Sequence, residues 1–321
     1  MYKIKRNSGA DKRAVLCLLL LTAALAGCRK QNTEPAGSST QSSIGERTKK
    51  AVRIISTAPS NTDIIAALGQ AHRLAAIDNF SDSVSNLPPE IIRIDFLNPN
   101  AETLIALKPD LIIAHSMNEM KNGSEPLAIM KKLGVDIVYI KTSNSLDGIM
   151  EDIGVIANLL DVPERGDALV SGMRTEIESV RKIGSGIDGA KRRSVYFEVE
   201  PAPHAVSFGS GVFLDEMITI CGADNIFAGT HGFFTANGEA VIDRNPDVIL
   251  TNASEIPDPV GELYLRAGFE NIKAHKNKRI YYIDTDASAR PTHNVIKALH
   301  QIAFSIYPEY YPPFPKDGGK K

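Results

Sequence analysis

The chain has 321 residues, of which 43% are hydrophobic and 23% charged, and its formal net charge is −2. This is the composition of an ordinary soluble protein, and the length allows two domains with separate cores. The slightly acidic charge, without a basic patch, argues against nucleic-acid binding.

The N-terminus predicts export. A basic segment precedes an apolar run at residues 14–26, which is too short to span a bilayer, and the run leads into Leu-Ala-Gly-Cys at 25–28. We interpret residues 1–27 as a secretory signal peptide. Its ending resembles a bacterial lipobox, whose cysteine, here Cys28, carries lipid and begins the mature protein. A plain signal peptide with an incidental cysteine is the alternative.

The remaining cysteines agree with an exported protein. Cys17 leaves with the signal, and Cys221 stays alone in an apolar stretch, which predicts a small buried side chain and no internal disulfide. No Cys-x-x-Cys pair is present, so a thiolate metal site is not expected. Loss of residues 1–27 would bring the formal charge to about −6 by the same counting of charged residues.

Residues 28–50 are polar and rich in Ser, Thr and Gly, which predicts a flexible tether. Short apolar runs then alternate with helical patterns over residues 51–160, which predicts an N-terminal α/β lobe. The same alternation over residues 186–308 predicts a C-terminal α/β lobe, and residues 309–321 form a tail.

A long helix is predicted between the lobes, at residues 161–185. Leu169, Met173, Ile177 and Val180 recur at intervals of three or four residues and so form one apolar stripe. Such a helix would span roughly 30 Å at 1.5 Å per residue. We interpret it as a rigid strut that joins the lobes.

One pattern occurs in both halves of the chain: ETLIALKPDLIIA at residues 102–114 and EAVIDRNPDVILT at 239–251. In each copy a helix must stop before Pro-Asp, and an apolar run follows that is typical of a strand buried on both faces of a parallel sheet. Two copies are too few for a solenoid. The predicted fold is therefore α/β, with two Rossmann-like lobes containing parallel sheets, joined by a single long α-helix.

Further motifs accompany the lipobox and the repeat in a fixed order: VRIISTAPSNTDIIAALG, GSGVFLDEMITICGADNIF and RPTHNVIKALHQIA. Together they resemble the helical-backbone substrate-binding proteins of type II ABC importers, which capture ferric siderophores, haem and vitamin B12. The resemblance implies a monomer without an intrinsic cofactor or catalytic activity, with its ligand in a shallow cleft between the lobes. It also implies a lipid anchor on the outer face of the cytoplasmic membrane, and the permease transmembrane subunits with their ATPase as partners.

Glu102 and Glu239 begin the helix of each repeat copy. An acidic residue in a first helical turn is favoured by the helix dipole, and this alone could explain either of them. In the resembled family, a glutamate at this position of each lobe docks onto arginines of the permease. Both positions are filled here, so we predict that Glu102 and Glu239 are permease-docking residues.

The ligand-binding residues are predicted in loops that follow the strands, because ligands of parallel α/β sheets bind at the carboxyl ends of the strands. Aromatic side chains would contact a flat macrocycle, arginines would pair with anionic groups, and His or Met could ligate haem iron. For each of them a purely structural loop role is the alternative. The candidates are Ser60, Asn61, Asn79, Phe80, Arg93, Phe96, His115, Met117, Asn118, His204, Phe208, Phe233, Phe234, Asn252, Arg290 and His293.

The composition also bears on which ligand is bound. The chain has no tryptophan, whereas the resembled vitamin B12 binders line their cleft with indoles. Only Arg93 and Arg290 are well placed for a triply anionic catecholate siderophore. We therefore predict haem or another iron chelate as ligand, with a corrinoid as the alternative. A free zinc or manganese receptor lacks a His-rich loop, and an α/β enzyme lacks GxSxG, HExxH and P-loop motifs.

Overall fold

Two parallel sheets form the two halves of the computed structural model, which describes residues 53–95, 99–119 and 127–313. The N-terminal unit contains the described residues up to Lys141 together with Val155–Gly166, and the C-terminal unit contains Thr142–Gly154 and the described residues from Asp167 onward. The predicted signal peptide, the tether and Cys28 lie outside the described residues. Within the described part, no helix is long and apolar enough to cross a membrane.

The sheet of the N-terminal unit has five parallel strands in the order β3-β2-β1-β4-β5. Its strands are β1 (Ile54–Ser56), β2 (Leu74–Asp78), β3 (Ile92–Ile94), β4 (Leu111–His115) and β5 (Asp136–Ile140), and its helices are α1 (Pro59–Ala67), α2 (Ala101–Leu107) and α3 (Ala128–Lys132). The strand order reverses between β1 and β4. Those two strands are buried almost throughout, as their apolar composition predicts.

The C-terminal unit has a second parallel sheet, in the order β11-β10-β6-β8, and an antiparallel pair, β7 with β9. The strands are β6 (Ser194–Glu198), β7 (Val206–Phe208), β8 (Asp224–Asn225), β9 (Phe233–Thr235), β10 (Val248–Thr251) and β11 (Ile280–Tyr282). Phe208, Phe233 and Phe234, which the sequence predicts in loops, lie in β7 and β9. The α/β class with parallel sheets is confirmed in both units.

Eight further helices follow the N-terminal sheet along the chain. They are α4 (Leu146–Leu159), α5 (Pro163–Ser185), α6 (Phe213–Ile220), α7 (Gly238–Arg244), α8 (Pro259–Leu265), α9 (Lys273–Lys276), α10 (Thr285–Ala289) and α11 (Val295–Ile306). The predicted long helix is α5, which has 23 residues, and its stripe residues Met173, Ile177 and Val180 are buried. Both α4 and α5 contribute residues to each unit. The role of α5 as a rigid strut stays a prediction.

The repeated pattern has the same local structure in both copies. The side chains of Asn100 and Asn237 cap α2 and α7, and each helix ends in a left-handed residue directly before the proline, Lys108 with φ 46° and Asn245 with φ 47°. Proline disfavours the right-handed helical state of the residue before it, which explains why each helix stops at that residue. The repeat is thus a capped helix, a left-handed stop and a buried strand.

The aspartate of each Pro-Asp pair connects its strand to the neighbouring one. Asp110 Oδ2 accepts a hydrogen bond from the Arg53 backbone N–H at 3.0 Å, and Asp247 Oδ2 accepts one from the Ser194 N–H at 3.0 Å. Burial opposes ionisation of Asp247, but the hydrogen bonds from Ser194 and the charge of Lys273 prevail and lower its pKa. The aspartates therefore fix where β1 and β6 enter their sheets.

Asp152 in α4 gives the protein a pH-dependent stability. Ser143 Oγ donates a hydrogen bond to Asp152 Oδ2 at 2.6 Å. Burial raises the pKa of this carboxyl to about 6, with the Ser143 hydrogen bond opposing the rise and the Glu151 charge adding to it. The folded state therefore favours the neutral acid, and the free energy of unfolding falls as the pH rises from about 4 through about 6.

We expect Asp152→Asn to remove this dependence, because asparagine still accepts the Ser143 hydrogen bond but does not ionise. At pH 8 the variant should be more stable than the parent protein by about 2–3 kcal/mol, and near pH 4 the two should converge. Urea unfolding at pH 4, 6 and 8 measures the difference. A difference that stays constant over this range would contradict the assignment.

Candidate functional site

The carboxyl ends of the parallel strands define a candidate binding edge in each unit. In open α/β sheets, ligands bind outside these ends where the strand order reverses. The reversal lies between β1 and β4 in the N-terminal unit and between β6 and β10 in the C-terminal unit. The predicted ligand-binding residues are therefore described separately for each unit.

In the N-terminal unit, hydrogen bonds hold together the loops after β1 and β4. Thr57 Oγ1 donates to Asn118 Oδ1 at 2.7 Å and accepts from the His115 backbone N–H at 2.9 Å. Asn61 Nδ2 donates to the Ile113 carbonyl at 3.5 Å. Asn61 and Asn118 are buried, so both hold this loop pair in place, and Thr57 is a participant that the sequence analysis missed.

The half-buried candidates of this edge are Ser60, His115, Asn79 and Phe80. Asn79 and Phe80 follow β2 in a turn that Asp78 organises, because its Oδ1 accepts a hydrogen bond from the Phe80 N–H at 2.7 Å. These side chains are placed where the sequence predicted, and contact with ligand stays a prediction for each of them.

The remaining candidates of the N-terminal unit are Arg93, Phe96 and Met117. Arg93 lies in β3 and forms an ion pair with Asp82, with 2.9 Å between Nη1 and Oδ1. Phe96 and the side chain of Met117 lie outside the described part of the structure. An arginine already paired with a carboxylate is a weaker partner for an anionic ligand, since the new pair must replace the existing one.

The aromatic candidates of the C-terminal unit belong to the antiparallel pair of strands β7 and β9. Phe208 is fully buried, with its ring 5.4 Å from that of Phe197 and 6.0 Å from that of Phe233. Phe234 packs edge-on against Phe227 at 5.1 Å. Phe233 and Phe234 are half-buried, so they retain surface that a ligand could cover, whereas Phe208 is part of the core.

The histidine and arginine candidates of this unit differ in exposure. His204 is exposed, as is His231, and His293 is half-buried. Arg290 is largely buried and pairs with Asp286 at 2.9 Å. Within the described ranges, no group of three or more His, Cys, Asp or Glu side chains is arranged to hold a metal ion.

A cluster of buried oxygen atoms lies at the ends of β6 and β10. It comprises Glu200, two residues beyond β6, and Asn252, Ser254 and Glu255, which follow β10. One side-chain oxygen of each residue is buried and has no hydrogen-bond partner among the described residues: Oε1 of Glu200 and Glu255, Oδ1 of Asn252 and Oγ of Ser254. We call these four residues the acceptor pocket.

The acceptor pocket concentrates negative charge. Burial raises the pKa of Glu200, the nearby Glu255 carboxylate raises it further, and His204 acts in the opposite direction. Only Asn252 of these four residues is among the predicted ligand-binding residues. The available signal was the position of Glu200 two residues after β6 and of Glu255 four residues after β10, since these strands end at the same sheet edge.

The permease-docking candidates are both exposed on first helical turns. Glu102 lies in α2 and Glu239 in α7, and in each case the helix N-terminus is capped by the preceding asparagine and not by the glutamate. Neither carboxylate is therefore needed to cap its helix. Their role in docking stays a prediction.

A groove of about 620 Å³ lies elsewhere in the C-terminal unit, along α4, α5 and α6. It is lined by none of the predicted ligand-binding residues. Some of its polar side chains are satisfied internally: Arg174 lies 3.7 Å from Asp147, and Glu216 accepts a hydrogen bond from the Leu146 N–H. The strand ends therefore remain the better candidate site.

Comparison with known proteins gives one consistent result. A family model described as periplasmic binding protein matches residues 54–287. The chain is similar to an uncharacterised ABC transporter substrate-binding lipoprotein, YvrC, of Bacillus subtilis (strain 168), with 29% identity over 318 residues that cover 94% of this chain and 99% of the relative. It is 27% identical to a vitamin B12-binding protein of Vibrio cholerae over 257 residues, which cover 78% of this chain and 88% of that protein.

Among solved structures, the chain is similar to a possible iron-binding (periplasmic solute-binding) protein from Staphylococcus epidermidis ATCC 12228. The identity is 30% and the TM-score 0.70, with coverage of 81% of this chain and 100% of that one. The family match extends over the greater part of the described chain and includes both copies of the repeat.

Proposed function

The chain belongs to the periplasmic binding protein family, and from this we propose that it is the extracytoplasmic substrate-binding lipoprotein of an ABC importer for an iron chelate, either a ferric siderophore or haem. The observation that carries the proposal is the family match over residues 54–287. This family supplies binding components of transport systems and is not a class of enzymes. The iron-binding description of the Staphylococcus epidermidis protein supports an iron chelate.

A second candidate ligand is vitamin B12, which the Vibrio cholerae relative is named for binding. The absence of tryptophan from this sequence still argues for the iron chelate, because the vitamin B12 binders it resembles use indoles. Phenylalanines such as Phe233 and Phe234 could provide comparable flat apolar contact.

The proposed partners and cellular location follow from the same class of substrate-binding lipoproteins. The protein would deliver its ligand to the permease transmembrane subunits and their ATPase, with Glu102 and Glu239 as contacts. Lipid on Cys28 would hold the protein, as a monomer, at the outer face of the cytoplasmic membrane, and the lipoprotein name of the Bacillus subtilis relative supports this. The segment 28–50 would supply the reach between membrane and folded body.

Spectral titration of purified residues 29–321 with haemin, cyanocobalamin and a panel of ferric siderophores tests the proposal. We expect one iron chelate to bind with sub-micromolar affinity. Because residues 29–321 contain eight of the chain's nine tyrosines and no tryptophan, quenching of tyrosine fluorescence reports on ligands without a useful absorption change. If haemin binds with a shifted Soret band, the first residues to replace are His115, Met117, His204, His231 and His293. Binding of free zinc or manganese, with no response to any chelate, would contradict the proposal.

A further inference from the structure

The acceptor pocket indicates which chemical groups the ligand presents to the C-terminal unit. β6 and β10 are adjacent parallel strands, with Glu198 in register with Thr251. Glu200 follows the first strand and Asn252 the second, so their side chains lie at the same sheet edge. This edge is the point of strand reversal at which ligands of such sheets bind.

The orientation of Asn252 is fixed by its neighbours. Its Nδ2 donates to Ser288 Oγ at 2.9 Å, and Ser288 Oγ donates in turn to the Asp284 carbonyl at 2.6 Å. Ser288 Oγ therefore accepts from Asn252, and rotation of the amide by 180° would place two acceptors face to face. The Oδ1 atom of Asn252 is thus held as an acceptor that lacks a donor.

The two glutamates add further acceptors. Glu255 Oε2 accepts a hydrogen bond from the Ser254 N–H at 3.0 Å, and its Oε1 has no partner in the described chain. Glu200 is only 5% exposed, and its Oε1 is likewise without a partner there. Buried acceptors without donors cost free energy, which a donor from a ligand would recover.

The rim of this pocket reaches solvent, whereas the four unpaired oxygens lie buried beneath it. Ser254 and Glu255 are half-buried, and His204, which lies near Glu200, is exposed. A ligand carboxylate placed here would meet the carboxylates of Glu200 and Glu255, and the Ser254 hydroxyl supplies too few donors for the acceptors that surround it. An N–H group, charged or neutral, would satisfy the acceptors and relieve the repulsion between the glutamates.

We propose that the acceptor pocket binds N–H donors of the ligand, so that the captured chelate carries carboxamide or ammonium groups at the edge that faces Glu200, Asn252 and Glu255. This inference rests on the proposed function and narrows its ligand class. It favours a ferric chelate with a pendant ammonium, or a corrinoid with its carboxamides, over haem, whose edge carries carboxylates.

Matched probe pairs test the donor requirement on the unaltered protein. Ferrioxamine B, which has one pendant ammonium, is compared with its N,N,N-trimethylated form, which keeps the positive charge but has no N–H at that end, and cyanocobalamin with derivatives in which one carboxamide is hydrolysed to a carboxylate. Haemin serves as the carboxylate-edged probe. We expect ferrioxamine B or cyanocobalamin to bind more tightly than its altered partner and than haemin, by about tenfold for one lost hydrogen bond to a charged group. The pair whose two members differ in affinity shows whether the pocket binds an ammonium or a carboxamide.

Variants then assign the effect to the pocket. Glu200→Gln and Glu255→Gln keep the shape of each side chain but place an amide donor among the acceptors, and each should weaken the preferred probe about tenfold. Glu270→Gln removes an exposed carboxylate of the same unit and should leave the affinity unchanged. Thermal unfolding of each variant verifies that the variant folds. The comparison of probe pairs on the unaltered protein does not depend on whether the variants fold.

The outcomes separate the two proposals. Tightest binding of haemin, with no effect of Glu200→Gln, would overturn the donor inference and leave the proposed function standing. A gain in affinity for ferrioxamine B or cyanocobalamin in Glu200→Gln would also overturn it. Failure of every probe to bind would overturn the proposed function together with the inference.

Discussion

Simultaneous replacement of Glu102 and Glu239 with alanine is expected to abolish ligand uptake while leaving the affinity of the purified protein for its ligand unchanged. Both carboxylates are exposed, and the helix N-termini that carry them are capped by Asn100 and Asn237. The folded state should therefore lose only the interaction of each glutamate with its helix dipole, a few tenths of a kcal/mol. The expected loss lies in docking to basic residues of the permease.

The measurement is uptake of iron by cells that carry the variant as their only copy, together with ligand titration of the purified variant. Each single replacement should retain part of the uptake, since one contact remains. A double replacement of Glu164 and Glu270, which are also exposed and lie in first helical turns, is the matched control and should transport normally. Normal uptake by the Glu102 and Glu239 double variant would refute the docking role.

The repeated units could be predicted from sequence because their signals are local. A proline preceded by a helical pattern and followed by an apolar run determines a helix, a stop and a strand within 13 residues. The helix stops at Lys108 and Asn245 follow from the same proline. The asparagine caps were not predicted, although asparagine is favoured at N-caps and Asn100 and Asn237 directly precede the first turns.

The antiparallel pair β7–β9 had no local sequence signal of this kind. Each strand has three residues, and Ser207 pairs with Phe234 across a long intervening segment that includes α6 and β8. Pairs this far apart depend on the tertiary structure, and three-residue strands are too short to show alternation. Assignment of these segments to loops was therefore the expected error.

The acceptor pocket shows the corresponding limit for the site. Glu200 lies in the sequence Glu-Pro-Ala-Pro-His, which is typical of an exposed turn, yet the residue is 5% exposed. Glu200 is buried because β6 and β10 lie side by side and end at the same sheet edge. No local sequence pattern predicts this pairing of strands. Asn61, Asn118 and Phe208 present the opposite case, because they lie at the predicted strand ends but point into the protein. Their contact with ligand stays a prediction.

Loss of the guanidinium of Arg266 is expected to cause the largest change in stability. Arg266 donates to both oxygens of Glu198, at 2.6 and 2.8 Å, and also binds Glu262. Glu198 is 1% exposed and accepts a further hydrogen bond from Tyr196 Oη at 2.9 Å. Burial and the neighbouring Glu198 carboxylate raise the pKa of Tyr196 well above its usual value, which keeps the phenol as donor.

Arg266→Ala leaves the Glu198 carboxylate buried without its countercharge, which typically lowers the free energy of unfolding by about 3–5 kcal/mol. The variant also loses the packing of the guanidinium 4.9 Å above the Phe269 ring. Urea unfolding at pH 7 measures the change. Arg181→Ala is the matched control, because its ion pair with Glu178 is exposed on both sides and should contribute about 0–1 kcal/mol.

A second variant distinguishes an unpaired charge from lost packing. Glu198→Gln combined with Arg266→Met removes both charges and keeps much of the volume, so it should be more stable than Arg266→Ala alone. If the free energy of unfolding falls by the same amount in both variants, the packing of Arg266 and not its charge stabilises the fold.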